Sequence, residues 1–153
     1  METNFAYDLA DTARLLRRAF DQRMREIGVT SAQARLLLSL GKFPGRNQTF
    51  YADNLEVEPI TLCRMVDRME ENAMIERRPD PGDRRARLLF LTEQAESEME
   101  RIRSALTVLI DQMHKGLSAA QRQSMSEMLA TIRKNLVGSS EIPRSEEPVP
   151  SDP

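Results

Sequence analysis

The segment Pro59–Thr92 constrains this chain more than any other. It reads PITLCRMVDRMEENAMIERRPDPGDRRARLLFLT. Pro59 suits the first turn of a helix, where its missing N–H has no partner to lose. Leu62, Val66, Met69 and Ala73 then recur at spacings of four, three and four, one apolar stripe of helical period. At about 100° per residue, Arg64 points away from that stripe. Ile60 and Arg68 flank it, and Thr61 sits at the edge of the same exposed face. A short run Ile75–Arg78 follows and stops before Pro79, which cannot continue a central strand. Asp80-Pro81-Gly82-Asp83 predicts a type II turn with Gly82 at positive φ. Arg85–Leu91 is the second run. A helix that leads directly into a tight hairpin leaves few folds open: the hairpin must lie beside the helix as a wing, and other elements must cover the helix's apolar side.

Both parts carry groups that suit a nucleic-acid duplex. Arginine forks onto guanine or phosphate, threonine contacts base or phosphate, and an apolar group covers a thymine methyl. Around the turn, from Arg77 to Arg87, the arginines Arg77, Arg78, Arg84, Arg85 and Arg87 stand against Asp80 and Asp83. Arginines on a narrow hairpin fit a minor groove, where the potential is most negative. Asp83 and Arg85 are two residues apart and share a strand face, so the carboxylate is expected to hold the Arg85 guanidinium extended. The plain alternative is a solvated helix face and an exposed hairpin whose ion pairs contribute little.

These residues resemble the multiple-antibiotic-resistance regulator (MarR) family of winged helix-turn-helix transcription factors. The resemblance rests on Ile60-Thr61-Leu62 leading to Arg64, on Val66-Asp67-Arg68-Met69-Glu70, and on Ile75-Glu76-Arg77-Arg78 leading to Asp80. Its most specific part is Asp83-x-Arg85-x-x-x-Leu89-x-Leu91-Thr92. With the flanking helices it extends over about Ala6–Leu136. It implies a homodimer on a pseudo-palindromic operator, with an effector pocket between DNA-binding and dimer domains. The fold expected is mainly α with a small β-hairpin wing, the N- and C-terminal helices forming a dimerisation domain.

The formal net charge is −2 over 153 residues, which excludes a bulk positive field as the source of any DNA affinity. Part of the deficit is the acidic 138–153 segment. Yet even Arg46–Thr92 holds eight Arg against nine Asp and Glu. A footprint must come from a few side chains aimed one way. The single cysteine excludes an internal disulfide framework. The acidic N-terminus lacks the apolar run of a signal peptide, and no run approaches a membrane span. A cytoplasmic protein is expected.

Along the chain, Phe5, Leu9, Ala13, Leu16, Phe20, Met24 and Ile27 predict a first helix ended by Gly28. Thr30-Ser31-Ala32-Gln33 has capping-box spacing for a second, from about Ser31 to Leu40. Gly41–Arg46 is a turn. Asn47–Leu55 is the first helix of the helix-turn-helix, capped by Asn47, with Tyr51, Ala52 and Leu55 inward and Val57 anchoring the turn. Glu56 stands where the family pattern favours Gly, so it is expected to take positive φ at modest cost. Thr92 caps a long helix whose Ala95, Met99, Ile102, Leu106, Leu109 and Met113 form a heptad-like seam. Gly116 breaks it, and Ser118-Ala119-Ala120-Gln121 starts another helix bearing Met125, Met128 or Leu129, Ile132 and Leu136. The seams exceed what a winged domain needs, so dimerisation is their simplest use. The segments expected are therefore a dimerisation helix (1–28), a winged domain (29–92), C-terminal dimerisation helices (93–137) and a disordered Pro/Ser/Glu-rich tail (138–153).

Catalysis is disfavoured. His114 is the only histidine, no zinc-ligand cluster exists, and no Gly-rich phosphate loop follows a strand. Cys63 lies beside the exposed face of the reading helix next to Arg64, so a redox-sensing role stands against a small packing residue; the redox cysteine of some relatives lies in the first helix, where this chain has none. The expected reading is a DNA-binding regulator, ligand-responsive and repressive. Ile60, Thr61 and Arg64 read the major groove, with Arg68 near phosphate. Arg85, positioned by Asp83, reaches the minor groove, and Arg84 and Arg87 assist. No cofactor is expected beyond an aromatic or phenolic effector. The competing class is a dimeric protein–protein adaptor that has lost DNA binding.

Overall fold

A computed structural model describes residues Glu2–Ser140. The order is α1 (Glu2–Glu26), α2 (Ser31–Lys42), β1 (Arg46–Asn47), α3 (Gln48–Leu55), α4 (Pro59–Glu71), β2 (Ile75–Asp80), β3 (Asp83–Leu91), α5 (Ala95–His114) and α6 (Ala119–Ser140). The chain forms two compact units, residues 1–113 and the part from His114 onward.

Local chemistry sets the boundaries. Thr30 and Gln33 complete the capping box of α2. Asn47 accepts the Phe50 N–H at the start of α3, at 2.9 Å. Glu56 ends α3 at φ 54°, and Val57 N–H returns to the Ala52 carbonyl, a left-handed cap made without glycine. Thr92 Oγ1 accepts the Ala95 N–H at 3.2 Å and donates to the Ala73 carbonyl, so one hydroxyl closes the wing and opens α5. Ser118 and Gln121 exchange the bonds of a second capping box.

The core belongs to the first unit. Leu62, Val66 and Met69 of α4 pack with Leu36, Leu37 and Leu40 of α2, Tyr51 and Leu55 of α3, and Ile75 and Leu89 of the sheet. Tyr51 is fully buried and its hydroxyl donates to the Phe43 carbonyl, which satisfies the one polar atom it brings inside. Ala73 is not on the stripe. It is exposed at φ 56°, just past the α4 C-cap Asn72; the helix ends before its turn of the wheel comes round.

The sheet is antiparallel in the order β1-β3-β2. β2 is an edge strand, which is why it carries Pro79 without losing a ladder bond, and the register shifts between Pro79 and Asp80. β1, two residues long, pairs Arg46 with Leu89. Gly45, at φ 72°, leads into it, and a Cβ there would sit 2.9 Å from the Phe90 ring. The hairpin turn is not type II. Gly82 does not take positive φ; its N–H donates to Asp80 Oδ1 at 2.8 Å, an Asx turn that achieves the reversal instead.

The α5 seam is largely spent inside the first unit: Ala95, Met99, Ile102 and Leu109 are buried there, and only Met113 is left exposed. Apolar side chains stay exposed on α1 (Phe5, Tyr7, Leu15 and Leu16), on α5 (Val108, Ile110 and Met113) and on α6 (Met128 and Val137). In α6 no described residue is buried, and the helix continues through Gly138 to Ser140, into the segment expected as tail. The remainder of that expected tail, 141–153, lies outside the described residues. No helix among them is long and apolar enough to cross a membrane.

Candidate nucleic-acid interface

All eight residues singled out from the sequence, Ile60, Thr61, Arg64, Arg68, Asp83, Arg84, Arg85 and Arg87, are exposed. Their scaffolding explains why. α4 buries Leu62, Val66 and Met69, so the 3.6-residue period turns Ile60, Arg64 and Arg68 outward. Thr61, Arg64 and Arg68 line one cleft with Thr30, Ala32 and Gln33 from the start of α2. Ile60 lines a neighbouring cleft with Gln48 and Thr49 of α3. The wing residues join neither cleft. They occupy the part of β3 beyond the core, where the strand leaves Leu89, its last buried residue toward the turn.

Asp83 does something other than expected. Its Oδ1 accepts the backbone N–H of Arg85 at 2.9 Å. It fixes the start of β3, and the Arg85 guanidinium stays free of it. The short side chain of an aspartate reaches the amide two residues on more readily than the far end of an arginine.

The arginines divide into two groups. Arg77 is only 18% exposed and ion-pairs with both Asp67 and Glu70, while its Nε donates to Gln48 Oε1 at 3.1 Å. Burial pulls its pKa down, but the hydrogen bonds and charges of Asp67 and Glu70 outweigh that, and the net shift is upward. Arg78 pairs with Glu76 and stacks over Phe90 at 4.2 Å. The other five, Arg64, Arg68, Arg84, Arg85 and Arg87, make no ion pair among the described residues. Arg87 only grazes the Arg84 and Ala86 carbonyls, at 3.4 and 3.3 Å. Asp67, Glu70 and Glu76 are taken up by Arg77 and Arg78, which leaves six arginines and six acids of Arg46–Thr92 outside the ion pairs of the described residues; five of those six arginines stand on the reading face and the wing tip.

Cys63 is half-buried, and its Sγ lies 3.9 Å from Asp67 Oδ2, so its polar neighbour is an acid and not the Arg64 anticipated.

The lining of a second feature escaped the sequence. A cavity of ≈ 820 Å³ opens among α1, α2, the end of α3 and α5. Leu16, Phe20 and Leu109 give it apolar walls, and Arg17, Arg35 and Lys42 are the only charged groups lining it. Ser39 faces it, 8% exposed, with an Oγ that has no hydrogen-bond partner. Arg35 donates to the Leu55 carbonyl at 3.0 Å, at the α3 terminus just before the helix-turn-helix turn. The one available signal was Ser39 itself, a polar residue inside the run Leu36-Leu37-Leu38-Ser39-Leu40.

Two short helices joined by a left-handed turn, the second leading into a β-wing, define a winged helix-turn-helix protein. Residues 29–86, the winged-helix segment, match the model of the MarR family. Solved structures agree in fold over nearly the whole chain. A MarR transcriptional regulator from Methanosarcina mazei superposes with TM-score 0.76 at 19% identity, covering 89% of this chain and 98% of that one. A mutant of MarR from E. coli complexed with operator DNA gives TM-score 0.69 at 22% identity, covering 84% and 93%. The transcriptional repressor CouR, bound to a 23-mer DNA duplex, gives TM-score 0.70 at 29% identity, covering 84% and 91%.

Proposed function

We propose that this chain is a sequence-specific DNA-binding regulator of transcription. The observation that carries the reading is the division of the arginines. Five exposed guanidiniums without an ion pair among the described residues sit on α4 and the wing tip, while Asp67 and Glu70 of α4 are held by Arg77. Ile60, Thr61 and Arg64 read base edges in a major groove and Arg68 takes phosphate. Arg85 enters the adjacent minor groove, with Asp83 setting the backbone that presents it, and Arg84 and Arg87 bind phosphate. Two solved structures of the same fold, one complexed with operator DNA and one bound to a 23-mer DNA duplex, support this reading. The adaptor alternative rests on the local charge balance, and it predicts no specific duplex binding at any salt concentration.

The finer reading is a homodimeric, ligand-responsive repressor. The exposed apolar side chains of α1, Tyr7 at 73% and Phe5 at 58%, support a second copy as their cover. Two reading helices would then address half-sites about 34–36 Å apart. The cavity supports the effector: apolar walls for an aromatic body, three cations for an acid or phenolate group, and the unpartnered Ser39 hydroxyl for a further polar atom. Its occupant acts only if it favours one spacing of the reading helices over another. Anisotropy titration of the promoter duplex of the chain's own gene tests the DNA reading. Arg64→Ala and Arg85→Ala are each expected to weaken binding by about 1–3 kcal/mol, and undiminished affinity in both would remove this face from the mechanism.

A further inference from the structure

Among the described arginines Arg77 is set apart by how many elements one guanidinium holds. It lies on β2 at the base of the wing, paired in register with Leu89. Nη2 meets Asp67 and Nη1 meets Glu70, carboxylates one turn apart on α4. Nε meets Gln48 at the start of α3, at 3.1 Å. The backbone N–H of Arg77 also donates to Glu70, at 3.4 Å. Every nitrogen of the fork is therefore used, on two separate elements, so that β2 is tied to both α3 and α4. A planar fork presents these donors in fixed directions, which the point charge of a lysine cannot do. Two residues further out, the register slips at Pro79/Asp80. The direction of the wing tip is thus governed by what holds its base.

We propose that Arg77 is a positioning residue: it sets the base of the wing against α3 and α4, so that Arg85 and the α4 side chains meet one duplex in a fixed relative geometry. Arg77 does not itself touch DNA. The proposal rests on the DNA-binding reading for its consequence, and on the free protein for its cause, and the two are separable by experiment. It also explains why this arginine is largely withdrawn from solvent while its neighbour Arg78 is 57% exposed.

The test uses the full chain, Arg77→Lys to keep the charge without the fork, and a double-mutant cycle with Arg85→Ala on the promoter duplex. In the wild-type background Arg85→Ala is expected to weaken binding about tenfold, and in the Arg77→Lys background by less than about threefold, because a mispositioned wing has little left to lose. Equal factors in the two backgrounds would overturn the proposal, since a residue that merely stabilises the fold leaves the two effects independent. Amide hydrogen exchange of the free protein supplies the DNA-independent arm. In Arg77→Lys, exchange at Ala86–Leu88 is expected to rise about tenfold while Leu36 and Leu37 keep their protection. Unchanged exchange in the wing, or an equal rise in the core, would overturn it. If the wild type binds no duplex, the DNA reading fails and the exchange arm alone decides the role of Arg77.

Discussion

Charge identity says little about a residue here, and partnership says much. Arg78 and Arg85 look alike in the sequence, yet Arg78 is paired with Glu76 and stacked on Phe90 while Arg85 is unpaired. Arg78→Ala is therefore expected to change duplex affinity by less than about 0.5 kcal/mol, as for a surface position away from the contact, against the larger loss at Arg85; parallel anisotropy titrations compare them. Glu56 makes a second residue-scale case. Its positive φ was legible from the family pattern, and the structure holds it at 54°. Glu56→Gly is expected to raise stability by about 0.5–1 kcal/mol, the relief of left-handed strain exceeding the entropy that glycine adds to the unfolded chain, read as a higher urea midpoint. Asp83 was misjudged for a local reason. Strand period places it beside Arg85, but a backbone amide two residues on is a nearer partner than a guanidinium at the end of a long side chain.

Among elements, those with strong local signals were visible in advance: the capping boxes of α2 and α6, the Asn47 cap of α3 and the Leu62-Val66-Met69 stripe of α4 all appear as read. What depends on distant partners was not. β1 is two residues long and exists because β3 offers it an edge. The turn at Gly82 follows an aspartate side chain that competes with the backbone geometry Pro-Gly suggests. The Arg77 cluster joins residues from three elements, with Gln48 29 positions from Arg77. The join between β1 and the wing gives a sharp prediction. Gly45→Ala combines positive φ with a Cβ 2.9 Å from the Phe90 ring, and is expected to destabilise by about 1–3 kcal/mol, measured by chemical denaturation. Thr92→Val removes both the α5 cap and the bond to Ala73, with an expected loss of about 1–2 kcal/mol in the same assay.

At the scale of the whole molecule, the account asks a protein of net charge −2 to bind a polyanion. It does so by tying up Asp67, Glu70 and Glu76 in ion pairs and presenting a small set of arginines on α4 and the wing tip, and a second copy would double that set. The apolar stripe of α1 was legible, but its destination was not: periodicity marks an apolar face without saying whether the same chain covers it. Most of the α5 seam is buried inside the first unit, whereas Tyr7 and Leu15 of α1 stand open, as do Val108, Ile110 and Met113 of α5. Tyr7→Glu with Leu15→Glu is expected to shift sedimentation from a dimer to a monomer while leaving the far-ultraviolet dichroism unchanged. The most direct test of the central claim is the salt dependence of binding to the promoter duplex. The expected result is specific binding whose log affinity falls linearly with log salt, with a slope near −0.9 for each phosphate engaged, and shallower by about 1 in Arg84→Ala. A duplex affinity indifferent to salt, or no preference for the promoter over unrelated DNA, would contradict it.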